Sequence, residues 1–82
     1  MIEGNEWYDH KVFGANIKRL REERGMTKKA LAKELHIGTT TFSNLEKGIM
    51  GKRFGAEVLV IIHKFFNVYI EELFDDQFLP PR

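Results

Sequence analysis

Residues 27–46 read TKKALAKELHIGTTTFSNLE, and the rest of the chain is arranged to serve them. Leu31, Ala32 and Leu35 share one side of a helix predicted from Lys28 to Leu35, built throughout from good helix formers. Thr27 precedes it as an N-cap whose hydroxyl can accept a backbone N–H of the next turn. His36, Ile37 and Gly38 break the helix, and Ile37, the apolar residue of the turn, is expected to plug the space between the helices. A further helix is predicted from about Thr39 to Glu46, with Phe42 and Leu45 inward and a row of small polar side chains outward. Three consecutive threonines are poor helix formers, so packing of Phe42 and Leu45 must hold this helix in place. Two helices of this size cannot bury enough surface to stand alone, so the flanking segments must form their platform.

Upstream, the spacing of Phe13, Ile17 and Leu20, with Val12 beside them, predicts a helix from about Asp9 to Arg24. Asp9 is its N-cap, Gly25 falls where a left-handed C′ residue belongs, and Met26 can fold back over Leu20. Downstream, Lys47 to Gly55 reads as a loop broken by Gly48, Gly51 and Gly55. The segment AEVLVIIHKFFNV, residues 56–68, favours a strand by its β-branched content but is long for a lone strand. As a helix it shows stripes of Leu59, Ile62, Phe66 and of Val58, Ile61, Phe65, with Glu57, Lys64 and Asn67 on the remaining face, so helix is the expectation. Tyr69 to Phe74 reads as a last short helix, and DDQFLPPR ends in prolines that leave an extended end. The expected fold is all-α: a compact five-helix domain over residues 9–74, after an arm of residues 1–8 and before a tail of residues 75–82. Trp7 and Tyr8 in the arm are expected to pack against the body.

Eighty-two residues with 43% hydrophobic content and seven Phe suit one small globule. No segment approaches the roughly 18 unbroken apolar residues of a membrane span. The start, MIEGNEWYDH, is too acidic and polar for a secretory signal. The absence of cysteine excludes a disulfide framework and any thiolate metal site. A cytoplasmic protein is the expectation. The net charge of +1 hides a division along the chain. Residues 1–10 carry −3 from Glu3, Glu6 and Asp9. Residues 11–53 carry eleven Lys or Arg against four Glu, a surplus of +7, and residues 54–82 return to −3. The basic block coincides with the two-helix stretch and points to an anionic partner for that face.

The middle of the chain resembles the helix-turn-helix family of phage repressors, Cro proteins and xenobiotic-response-element-type regulators, from about Phe13 to Phe74. FGANIKRLREERGMT is similar to the family's first helix, LAKELHIG to its second helix and turn, TTTFSNLEKG to its recognition helix and following loop, and FNVYIEELF to its closing segment. Ala32, His36, Ile37, Phe42 and Leu45 fall at the family's structural positions without a gap. The small Ala32 suits a close helix crossing, and Ile37, Phe42 and Leu45 would form the wedge that sets its angle. The resemblance also implies a structural ion pair between Arg21 and Glu46, largely screened from solvent. The sequence departs from the family pattern in three places. His36 occupies a turn site that is usually glycine, Gly38 replaces a hydroxyl cap, and the loop from Lys47 to Gly55 is about two residues longer than typical.

The resemblance implies that the second helix of the motif enters the major groove of double-stranded DNA and that its N-terminal residues meet base edges. The expected base contacts are Thr39, Thr40, Ser43 and Asn44. Asn44 can pair bidentately with adenine and threonine methyls can contact the thymine methyl, which predicts an operator core biased to A·T. The expected phosphate contacts are Thr27, Lys28, Lys29, Lys47, Lys52 and Arg53. Apolar residues left over in the last third (Val58, Ile61, Phe65, or Phe74, Phe78, Leu79) are consistent with a homodimer seam, or with mutual cover by the arm and tail. A role as an antitoxin or adaptor, binding a protein partner through that third, is the alternative reading. An enzyme is not expected. His10, His36 and His63 are scattered without ligand spacing, no serine sits in a nucleophile turn, and the glycines lie in no Gly-Lys-Ser context. No cofactor, metal or small-molecule ligand is implied.

Overall fold

The computed structural model describes residues 9–50 and 55–78. The arm with Trp7 and Tyr8, Lys52, Arg53 and Leu79 lie outside the described residues. Four α-helices follow one another: α1 (His10–Glu23), α2 (Lys28–Glu34), α3 (Thr39–Glu46) and α4 (Ala56–Phe66), after which Ile70–Phe74 form a single 3₁₀ helix. The expectation of five α-helices is therefore corrected to four. The fifth element is five residues long, and Asn16 takes the carbonyls of Leu73 and Asp75 with its Nδ2, at 2.7 Å and 3.0 Å. Within the segment the tighter i→i+3 pattern closes the turn, as in the 3.1 Å bond from Asp75 N to Glu72 O.

Each helix starts and stops for a local reason. Asp9 accepts from Lys11 N at the start of α1, and Thr27 Oγ1 accepts from Ala30 N at the start of α2. The ends of α1, α2 and α3 repeat one device, a left-handed residue one position past the cap with two returning hydrogen bonds. After α1 the bonds are Met26 N to Arg21 O and Gly25 N to Glu22 O, both 3.0 Å. After α2 they are Ile37 N to Ala32 O at 3.0 Å and His36 N to Lys33 O at 3.1 Å. After α3 they are Ile49 N to Asn44 O at 2.8 Å and Gly48 N to Leu45 O at 3.0 Å.

In the second of these turns the left-handed residue is His36, with φ 60°. A side chain there sets Cβ against the following carbonyl, at a cost of about 1–2 kcal/mol. The tight turn that the motif needs is thus built on a strained residue. His36→Gly is expected to raise stability by about 1 kcal/mol, since the gain from lost strain exceeds glycine's extra chain entropy. Urea unfolding showing no gain, or a loss, would disprove the strain argument.

The core gathers Phe13, Ile17 and Leu20 from α1, Leu31, Ala32 and Leu35 from the second helix and its cap, Phe42 and Leu45 from α3, and Val58, Ile62 and Phe66 from α4, all buried. Val68, Leu73 and Phe78 close it. The helical period of Val58, Ile62 and Phe66 (i, i+4, i+8) shows why residues 56–66 form a helix despite their β-branched content. A strand would also set those three on one face, but it would bury Val60 and Lys64 with them, and both are exposed; the burial follows the helical period, and packing outweighs propensity. Arg24 ties the far end of α4 back to α1. Its guanidinium lies 5.3 Å and 5.1 Å from the ring centroids of Phe65 and Phe66, and Nη2 donates to Phe65 O at 3.2 Å. Beyond the 3₁₀ turn the chain stays on α1: Phe78 is buried and its carbonyl accepts from Arg19 Nη1 at 2.6 Å.

Candidate nucleic-acid interface

The geometry of the two-helix unit rests on its inner surface. Ala32, Phe42 and Leu45 are each within about one percent of complete burial, so α2 and α3 meet through a small residue on one side and two large ones on the other. Ile37 is half-buried and packs against the same cluster. The turn therefore contributes a hydrophobic plug, and α3 has little freedom to rotate about its own axis.

Two features of α1 hold α3 from behind. Arg21 Nε donates to Glu46 Oε2 at 2.7 Å, and Nη2 reaches Oε1 at 3.4 Å. The remaining arm of the guanidinium, Nη1, donates to Met26 O at 3.0 Å. One side chain thus joins the end of α1, the turn into α2 and the last turn of α3. The pair is nearly dry, with side-chain exposures of 11% for Arg21 and 4% for Glu46. Among the described residues it is the sole ion pair. The second feature is Gly14, buried in α1 against the last turn of α3. A Cβ added there would collide with the carbonyl oxygen of Leu45, and would lie 2.7 Å from that of Glu46. The two backbones approach too closely for any other residue.

Sequence reasoning singled out neither Gly14 nor Asn16. The signal for both was present. Phe13, Asn16, Ile17 and Leu20 form one stripe, so Asn16 is a polar residue on the core face, and such a group survives burial only with partners. Gly14 is a glycine within a helix, a position that normally costs stability and so calls for a packing reason.

The outer side of α3 is the opposite of its inner one. Thr39, Thr40 and Lys47 are exposed, and Ser43 and Asn44 are half-buried at the edge of the packed surface. Helical spacing sets these five on the side away from Phe42 and Leu45. No other described residue hydrogen-bonds the side chains of Ser43 or Asn44, so their donors and acceptors are uncommitted within the described structure. The third threonine, Thr41, lies off this row and lines a shallow depression of about 240 Å³ with His36, Ile37 and Gly38.

Thr27, Lys28 and Lys29 are exposed at the first turn of α2. The Thr27 hydroxyl accepts from Ala30 N at 3.0 Å and keeps its own proton to donate elsewhere. Lys28, Lys29 and Lys47 have no carboxylate within ion-pair distance among the described residues. Basic side chains thus flank a hydrogen-bonding row on a rigidly held helix. No group of three or more His, Cys, Asp or Glu that could hold a metal occurs among the described residues, and no described helix is long and apolar enough to cross a membrane.

Comparison with curated proteins and with solved structures returns no significant match to either. The helix-turn-helix family model matches residues 17–73, which takes in the second half of α1, both helices of the motif, α4 and most of the 3₁₀ turn. The chain belongs to the helix-turn-helix family of phage repressors and Cro-like regulators, whose members bind double-stranded DNA and regulate transcription.

Proposed function

We propose that this protein is a sequence-specific operator binder that acts as a repressor, with α3 laid in the major groove. The observation that carries the reading is the uncommitted row Thr39, Thr40, Ser43 and Asn44 on a helix whose other side is locked by Phe42, Leu45 and the Arg21–Glu46 pair. A recognition surface needs free hydrogen-bonding groups on a support that does not move. Both conditions meet at α3.

In this reading the roles divide by chemistry. Asn44 presents one acceptor and two donors, the complement of the adenine edge in the major groove, and the threonine methyls meet thymine methyls. No Arg or Gln lies in α3, so the strongest side-chain contact to guanine is missing and the operator core is biased to A·T. Thr27, Lys28, Lys29 and Lys47, together with Lys52 and Arg53 from the following loop, hold the backbone and set the register. Two copies related by a two-fold axis place two such helices about one DNA turn apart. Occupation of that groove excludes other proteins from the same sequence, which is the basis for expecting repression.

Selection of bound sequences from a random duplex pool tests the whole reading, and the expected product is an A·T-rich palindrome. A G-rich consensus would sink the residue assignment, and no enrichment would sink the function. Single variants separate the two classes of contact. Asn44→Ala is expected to weaken operator binding by about 1–3 kcal/mol and to relax preference at one base pair per half-site. Lys28→Ala should weaken all sequences alike and lower the salt slope by about one per copy. If about four phosphates are neutralised by each copy, log affinity of the dimer falls with log salt at a slope of roughly −7. A flat salt response would be incompatible with these lysines as phosphate contacts.

A further inference from the structure

Lys11 and Lys18 are exposed on α1 and have no role in the operator reading above. Neither side chain makes a hydrogen bond or an ion pair among the described residues. Their place on the helix is informative. Gly14 and Arg21 mark the side of α1 that faces α3, and Phe13, Ile17 and Leu20 turn from there towards the core. At 3.6 residues per turn, Lys18 and Lys11 lie roughly 40° and 60° round from Gly14 in the opposite sense, away from the core.

Helix α3 mirrors this arrangement. Glu46 faces Arg21, Phe42 and Leu45 turn to the core, and Ser43 and Lys47 turn the other way. The two edges therefore open onto one face, with the lysines of α1 on one bank of the α1–α3 contact and Ser43 and Lys47 on the other. A close approach joins the banks at one end. A Cβ added to Gly48 would stand 2.9 Å from both Cα and Cγ of Lys11, so the stem of Lys11 rests on the turn that follows Lys47. The neighbouring acids pair with neither lysine: Asp9 Oδ1 caps Lys11 N at 2.9 Å, and Glu22 makes no ion pair. Three ammonium groups gathered from two elements, without a carboxylate on any of them, suit a polyanion with evenly spaced charges. The backbone beside a groove occupied by α3 is such a row.

We propose that Lys11 and Lys18, with Lys47, form a phosphate-binding ridge that grips the DNA strand running along the α1 side of α3. The ridge rests on the operator reading, which supplies the duplex. It gives α1, otherwise a support, a direct hold on the DNA backbone.

Binding of the whole chain to its selected operator, followed by fluorescence anisotropy across a salt series, is the test. The double variant Lys11→Ala, Lys18→Ala is expected to lower the salt slope by about two per copy. It should weaken binding roughly tenfold or more at about 0.15 M salt and leave the preferred sequence unchanged. Lys11→Arg, Lys18→Arg keeps both charges and should keep the slope, which separates charge from the packing of Lys11 on Gly48. Lys64→Ala removes the same charge from α4, which bears no part of this edge, and should leave the slope as it is. Ethylation of single operator phosphates should reveal one or two positions per half-site that hinder the wild type and not the double alanine variant. An unchanged slope in that variant, an equal drop in Lys64→Ala or an identical ethylation pattern would each overturn the ridge. A wild type that selects no operator refutes the operator reading and the ridge with it. An operator bound with a slope that depends on Lys28 but not on Lys11 or Lys18 refutes the ridge alone.

Discussion

Glu46→Ala is expected to lower the stability of the protein by roughly 3–5 kcal/mol. The reason lies in what remains after the change. Arg21 is 11% exposed, its Nη1 is held by Met26 O, and its charge would sit in a nearly dry site without a counter-ion. Native domains of this size are stable by only about 5–15 kcal/mol, so the variant would be close to unfolding at room temperature. The double variant Arg21→Met, Glu46→Leu removes both charges and fills the space with apolar atoms. It should be more stable than Glu46→Ala alone, because the pair's attraction largely repays the desolvation of its two members. Urea unfolding of the three proteins decides the matter. If the single variant lost less than about 1 kcal/mol, the pair would have to be treated as a solvated surface contact.

Gly14→Ala is the second large effect, and its sign is the test. At an open position inside a helix this change stabilises by about 1 kcal/mol. In this protein it is expected to destabilise by about 3 kcal/mol, at the upper end of overpacking effects, because the obstacle is backbone. The added methyl would meet the carbonyl oxygens of Leu45 and Glu46 and the Glu46 carbonyl carbon, the last at 2.9 Å. A side chain could rotate away, but the carbonyls belong to the final turn of α3. Leu45 O also accepts the 3.0 Å bond from Gly48 N that ends the helix. Relief therefore requires α3 to move off α1, which would also strain the Arg21–Glu46 contact. Operator binding should weaken along with stability, since the same displacement tilts the proposed reading surface. An increase in the urea midpoint for Gly14→Ala would show that the two helices have room to separate.

The two variants probe one design from two sides. The outward row of α3 is chemically ordinary, a few hydroxyls and one carboxamide, and any selectivity must come from how firmly it is held. Gly14 sets how close α3 lies to α1, and the ion pair limits sliding of its last turn. Phe42 and Leu45 prevent rotation. Support of this kind is what turns weak individual hydrogen bonds into discrimination, because a helix free to shift would satisfy several sequences equally.

Much of this arrangement was legible in the sequence. The bounds of α3, the cap at Thr27, the left-handed Gly25 and the inward set Leu31, Ala32, Leu35, Phe42 and Leu45 all follow from local chemistry. Period, capping and turn residues act over a few positions, so the chain alone displays them. Helix-turn-helix membership was legible for the same reason, since the motif is a fixed spacing of such local signals. What the tertiary structure decided depends on groups far apart in the chain. Asn16 meets carbonyls 57 and 59 residues away, and so ties the 3₁₀ turn to α1. Gly14 is required only because α3 passes it; a glycine inside a helix signals a packing reason, but the chain near residue 14 does not say which element approaches. The helical state of residues 56–66, ambiguous by propensity, is settled by burial: Val58, Ile62 and Phe66 enter the core while Val60 and Lys64, which a strand would bury with them, stay exposed. Local chemistry determined where the helices begin and end; burial against distant backbone determined which residues could not be exchanged.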